Sequence, residues 1–230
     1  KLKQVRHLVQ FIEQLLHQIP QQPQGPTLAD HGAGKSYLGF ILYDLIFKPK
    51  GLGRIWGIET RPELVSSSQQ LAKQFGFDRM DFLNLSAAQS WHSPQLPERI
   101  DMVTALHACD TATDDALHFG LLKQAHAIVL VPCCQAEVAA RWRAQKALDL
   151  SRTPLSELWR HPLHSRELGS HLTNVMRCLY LESQGYRVTV TELVGWEHSL
   201  KNELILAQHT GRPKNSAAQR LHTLLDQIGR

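Results

Sequence analysis

Asp30-His31-Gly32-Ala33-Gly34-Lys35 follows a short apolar run, Pro26-Thr27-Leu28-Ala29, and opens an apolar helical stretch that reaches Phe47. A second strand, Arg54 to Glu59, ends in an acid. A strand, a glycine turn, a helix and a second strand ending in an acid together make the sheet edge that holds a nucleotide-like ligand. The glycines permit a sharp turn and close backbone approach. Alone, Glu59 reads as a solvated strand-end acid. Placed about 25 residues after such a turn, it reads as an acceptor for ribose hydroxyls.

Upstream, Val5, Leu8, Val9, Ile12, Leu15, Leu16 and Ile19 fall at three- and four-residue steps, which predicts an amphipathic helix. It either covers the ligand crevice or docks onto another segment. With the Pro- and Gly-containing linker it makes up residues 1–24. The main domain is expected over 25–210 and a helical tail over 211–230.

Downstream, a helix is expected from Lys35 to Phe47, stopped by Pro49 and Gly51, and another from Pro62 to about Phe75. Met80–Leu85, Ile100–Leu106 and His126–Val131 read as strands, with a helix from about Thr113. Residues 134–184 read as mainly helical and a possible substrate-facing insertion. Tyr186–Val194 and Glu203–Gln208 complete the strands. The first five strands alternate with helices, so they are expected to run parallel. Only Gly195–Asn202 separates the last two, too short for a helical crossover, so these should pair antiparallel.

At 230 residues and 43% hydrophobic, the chain can bury the core of one α/β domain. No apolar run approaches the ~20 residues of a membrane span, and no secretory signal pattern is present. Cys109, Cys133, Cys134 and Cys178 form no CxxC pair, so reduced thiols and a cytoplasmic location are expected. The formal charge of +4 is compatible with a nucleic-acid partner without demanding one.

The strings DHGAGKSYLGF, LHACDTATDDAL, VPCCQ and VGWEHSLKNELILA, in this order, resemble the class I S-adenosylmethionine-dependent methyltransferases. Within them the chain is similar to the group that includes methyltransferase-like protein 25 and the methyltransferase domain of the glutathione S-transferase C-terminal domain-containing protein. His-Ala-Cys followed by Ala-Thr-Asp also resembles tRNA 2'-O-methyltransferases of the acceptor stem. The resemblance implies a Rossmann-like, seven-stranded, mostly parallel sheet with an antiparallel last strand and helices on both faces. It implies S-adenosylmethionine as cofactor, bound by Asp30, His31, Gly32, Ala33, Gly34, Lys35, Glu59, Thr60, Asn84, Leu85, Leu106 and His107. Asp30, Gly32 and Gly34 would line its amino-acid end, Glu59 its ribose, and Asn84 or Leu85 its adenine. Ser36 departs from the pattern, since a third glycine is usual there.

Methyl transfer from a sulfonium is an in-line displacement, so the protein aligns a nucleophile and manages a proton. His107, Cys109 and Asp110 are the catalytic candidates. His107 could serve as general base, or could pack with Cys109 beneath the cofactor. Cys133 could attack a pyrimidine ring as a thiolate. No metal is required. Arg141, Arg143, Lys146, Arg152, Arg160 and Arg166, interleaved with Trp142 and Trp159, suit RNA or else form a solvated helical face. RNA, either tRNA or rRNA, is thus the first expected acceptor. A protein or small molecule, or a non-catalytic cofactor-binding module, are the alternatives. A further alternative is a phosphate loop over Ala29–Ser36, with Lys35 and backbone N–H groups on phosphates and Ser36 on magnesium. Against it, Asp30 would repel a triphosphate but suits an ammonium.

Overall fold

A computed structural model describes residues 2–106, 111–132, 137–140, 161–193 and 202–227. Short apolar runs, continuous where a strand is buried on both faces, build the strands: β1 (Thr27–His31), β2 (Arg54–Glu59), β3 (Met80–Asn84), β4 (Met102–Leu106), β5 (Ala127–Val131), β6 (Tyr186–Glu192) and β7 (Glu203–His209). They form one sheet in the order β3-β2-β1-β4-β5-β7-β6. β1 pairs parallel with β2 and β4, β2 with β3, and β4 with β5. β7 lies antiparallel between β5 and β6. The expected fold class is therefore the observed one. The strand order reverses between β1 and β4, which puts the ligand crevice at the carboxyl ends of those strands.

Alternation sorts the core onto two faces. Leu28, Ile55, Met102 and Val129 pack on one side with α1 (Leu2–Gln18) and α2 (Tyr37–Leu42). Ala29, Trp56, Val103 and Ile128 pack on the other with α6 (Thr111–Leu122) and α7 (Pro162–Ser183). The apolar stripe of α1, from Val5 to Ile19, is buried in the first of these clusters. It is part of this chain's own core, not a face left for another segment to dock on. Ile12 is fully buried and Leu8 nearly so, each contributing roughly 1.5–3 kcal/mol.

Several boundaries differ from the sequence reading. α2 starts at Tyr37, not Lys35, because Ser36 is left-handed (φ 52°) and cannot sit inside a helix. The helix then widens into a π turn, Tyr43–Phe47, before a last turn, α3 (Lys48–Lys50), that contains Pro49. Proline lacks an N–H and crowds the preceding turn, and the wider turn accommodates it. α4 (Pro62–Gln74) starts on its proline. α5 (Ala87–Trp91) was not foreseen, although Ser86 and Gln89 form a reciprocal capping box visible as Ser-x-x-Gln. The terminal α8 (Asn215–Gln227) turns Leu221, Leu224 and Leu225 toward Val138 and Met176.

Candidate functional site

The glycine turn is tied to β2 by its own backbone. Gly32 and Ala33 N–H both donate to the Ile58 carbonyl, at 2.9 and 3.0 Å. Gly34 N–H donates to Glu59 Oε2 at 2.8 Å. Gly32 and Gly34 adopt φ of 71° and 58°, which a Cβ disfavours. Ser36 is likewise left-handed, with φ of 52°, and its buried hydroxyl has no hydrogen-bond partner among the described residues. Gly57 lies beneath the turn. A Cβ there would come within 2.6 Å of the Phe82 ring, so its absence lets that ring pack under the crevice.

The two acids behave oppositely. Asp30 is buried in β1 and accepts a hydrogen bond from Thr104 Oγ1 at 2.8 Å. Burial pushes its carboxyl up to about 7, only partly offset by Thr104. A nearby cation would favour its ionised form. Glu59 is also shielded, and burial alone would raise it. The hydrogen bonds from the Arg61 side chain, Arg61 N–H and Gly34 N–H bring it down to about 2. Arg61 donates through Nε to Oε1 at 3.0 Å and through Nη2 to Oε2 at 3.1 Å, a side-on fork. Arg61 N–H and Thr60 Oγ1 also reach Oε1, at 3.0 and 3.2 Å. Asn84 Nδ2 donates to the carbonyls of Glu59 and Thr60, at 3.0 and 2.8 Å, and so ties β3 to the end of β2.

Asp30, Gly32, Ala33, Gly34, Glu59, Thr60 and Asn84 thus gather at one sheet edge, with Lys35 exposed beside them. The His31 side chain does not join them. Its ring packs on Phe119, with Nε2 3.3 Å from Ser90 Oγ, and burial lowers it to about 4, leaving it neutral. Leu85 packs among the cluster on that same side, whereas Leu106 packs on the α1 side. His107, Cys109, Asp110 and Cys133 lie outside the described residues, as does Arg141–Arg160. Two residues that matter here were not singled out from sequence. Thr104 is the one hydroxyl in the buried run Met102–Leu106, a visible signal. Arg61, two residues beyond the strand-end acid, is unremarkable until its fork is seen.

Among the described residues, a Cβ on Gly32 would meet nothing within 4 Å, and one on Gly34 only Arg61 Nη2 at 3.8 Å, so the turn is uncrowded by them. An open glycine cradle, a strand-end carboxylate and a buried acid suit a ligand with an ammonium and a ribose diol. They do not suit phosphates: the turn N–H groups already serve Ile58 and Glu59. The buried Ser36 hydroxyl is likewise withdrawn from any metal in the crevice.

Further along the sheet, Arg177 is 4% exposed and donates to Asp114 through Nε at 2.6 Å and Nη2 at 2.8 Å. Its Nη1 donates to Asn174 Oδ1 at 3.1 Å, and Asn174 Nδ2 donates to Glu203 Oε2 at 2.6 Å. A cavity of about 370 Å³ adjoins this chain of bonds, walled by Leu117, His118, Met176, Tyr180 and Leu221.

The fold and crevice define a Rossmann-like ligand-binding domain of the methyltransferase type. The sequence profile of a family described as a methyltransferase domain matches residues 1–141, and the chain belongs to that family. A sequence comparison with curated proteins finds no match. Among solved structures, the chain is similar to the citrinin polyketide synthase CMeT domain (TM-score 0.55, 15% identity, covering 89% of this chain and 52% of that one). It is similar to an rRNA methylase from Streptococcus thermophilus (TM-score 0.51, 10% identity, 86% and 94% covered). It is also similar to M. capricolum TrmK in complex with S-adenosylhomocysteine (TM-score 0.50, 10% identity, 86% and 67% covered). Identities this low speak for the fold alone.

Proposed function

We propose that this chain is an S-adenosylmethionine-dependent methyltransferase that acts on RNA. The observation that carries the cofactor assignment is the Glu59 carboxylate beside the open Gly32–Gly34 cradle. Glu59 would accept the ribose hydroxyls, the cradle would admit the amino-acid arm, and Asp30 would face the ammonium. When bound, the cofactor supplies an activated methyl group on sulfur. The chain's own task is to orient an acceptor, exclude water and take up a proton. His107, directly after β4, is the proposed base, with Cys109, Asp110 and Cys133 as further candidates around the acceptor.

The RNA reading rests on the basic, tryptophan-bearing run from Arg141 to Arg166 and the formal charge of +4. Structural neighbours that include an rRNA methylase and TrmK are in keeping with it. The quoted strings favour a place near the methyltransferase-like protein 25 group. The test is incubation with methyl-labelled cofactor and cell extract. Label in an RNase-sensitive fraction supports the reading. Label in protein or small molecules moves the acceptor to another class, and cofactor binding without label leaves a binding module.

A further inference from the structure

We infer that Arg61 is an internal competitor for the ribose-binding edge of Glu59, and so sets how tightly the site holds a ribose diol. The inference rests on the reading of this crevice as an S-adenosylmethionine site. A carboxylate offers about four lone-pair positions. The two oxygens of Glu59 already receive five donors: Gly34 N–H, Thr60 Oγ1, and Arg61 N–H, Nε and Nη2. The Arg61 fork presents two parallel donors to both oxygens at once, as the 2'- and 3'-hydroxyls of a ribose would. Both cannot occupy that edge together. The guanidinium also lies across the turn, with Nη2 3.8 Å from where a Cβ on Gly34 would stand.

Of the five donors, the three from side chains can leave, and among them only the guanidinium covers both oxygens. The Gly34 and Arg61 N–H groups are fixed by the backbone. The Thr60 hydroxyl can turn away without moving the chain. The Arg61 side chain is 59% exposed and can swing into water on its flexible stem. Glu59, 8% exposed, stays in place. An exposed ion pair is weak, so the competition is modest and the edge remains available to a ligand.

The test is calorimetric titration of the full chain and of Arg61→Ala with S-adenosylhomocysteine and with its 2',3'-dideoxyribose analogue. Competition predicts that Arg61→Ala binds S-adenosylhomocysteine roughly three- to fivefold more tightly. It predicts no gain for the dideoxy analogue, which does not contest the edge. Raising the salt concentration should narrow the difference between the two proteins. Equal or weaker binding of S-adenosylhomocysteine by Arg61→Ala overturns the inference, as does an equal gain for both ligands. Failure of both proteins to bind S-adenosylhomocysteine overturns the cofactor assignment itself.

Discussion

At the β1–β2 end of the sheet, Glu59 is held by Gly34, Thr60 and Arg61, none more than 25 residues away. At the β4–β7 end, Arg177 reaches Asp114 across 63 residues and Asn174 reaches Glu203 across 29. The first arrangement is made largely of backbone groups and a half-exposed arginine. The second is made of side chains around a buried guanidinium. A site built from local backbone geometry tolerates the loss of single side chains and is tuned by them. A site built around a buried guanidinium and long-range partners does not, because the interior penalises a charge that loses a counter-ion.

The largest expected effect falls on the second region. Asp114→Ala removes a two-pronged carboxylate partner from a 4%-exposed guanidinium, which keeps its bond to Asn174, and should cost about 2–3 kcal/mol in urea unfolding. A loss below about 1 kcal/mol would erase the contrast, since surface pairs cost that little. In the first region, the steric demand under the turn is the greatest liability. Gly57→Ala places a Cβ about where the Phe82 ring sits, and overpacking should cost roughly 2 kcal/mol.

Asp30 links the first region to pH. Its carboxyl lies at about 7 in the fold against an ordinary value of 3.8, so the fold binds a proton there that the unfolded chain does not. This contribution is fully present below about 4 and is lost as pH rises through 7. An ammonium beside Asp30 favours the ionised form, so binding of S-adenosylhomocysteine should expel that proton. Affinity measured by calorimetry should rise between about pH 6 and 8, by up to roughly tenfold per pH unit, then level off. Asp30→Asn should flatten the profile. The smallest expected effect is at Ser36, whose left-handed backbone and unsatisfied hydroxyl both strain the turn. Ser36→Gly should stabilise by about 1 kcal/mol and raise the melting temperature by roughly 2–4 °C.

The same contrast explains what was legible in the sequence. The glycine turn after β1, the acid that ends β2, the short apolar strands and the antiparallel close are legible from spacing within short windows. The α2 start was missed because the sequence shows a serine, not the left-handed angle it adopts. His31 was grouped with its neighbours in the turn, but period-2 alternation sends its side chain to the opposite face from Asp30. The Arg177 network joins α6, α7 and β7, and no local pattern announces which distant carboxylate an arginine will find. Arg61 is hidden for the opposite reason: an arginine two residues past a strand-end acid carries no pattern that distinguishes a fork on that acid from a solvated charge.

The most direct test of the central claim is titration of Glu59→Ala with S-adenosylhomocysteine, alongside the unaltered chain and a melting curve for each. Loss of two charge-assisted hydrogen bonds to the ribose should weaken binding by about tenfold or more while the domain still unfolds cooperatively. Undiminished affinity in Glu59→Ala would contradict the account.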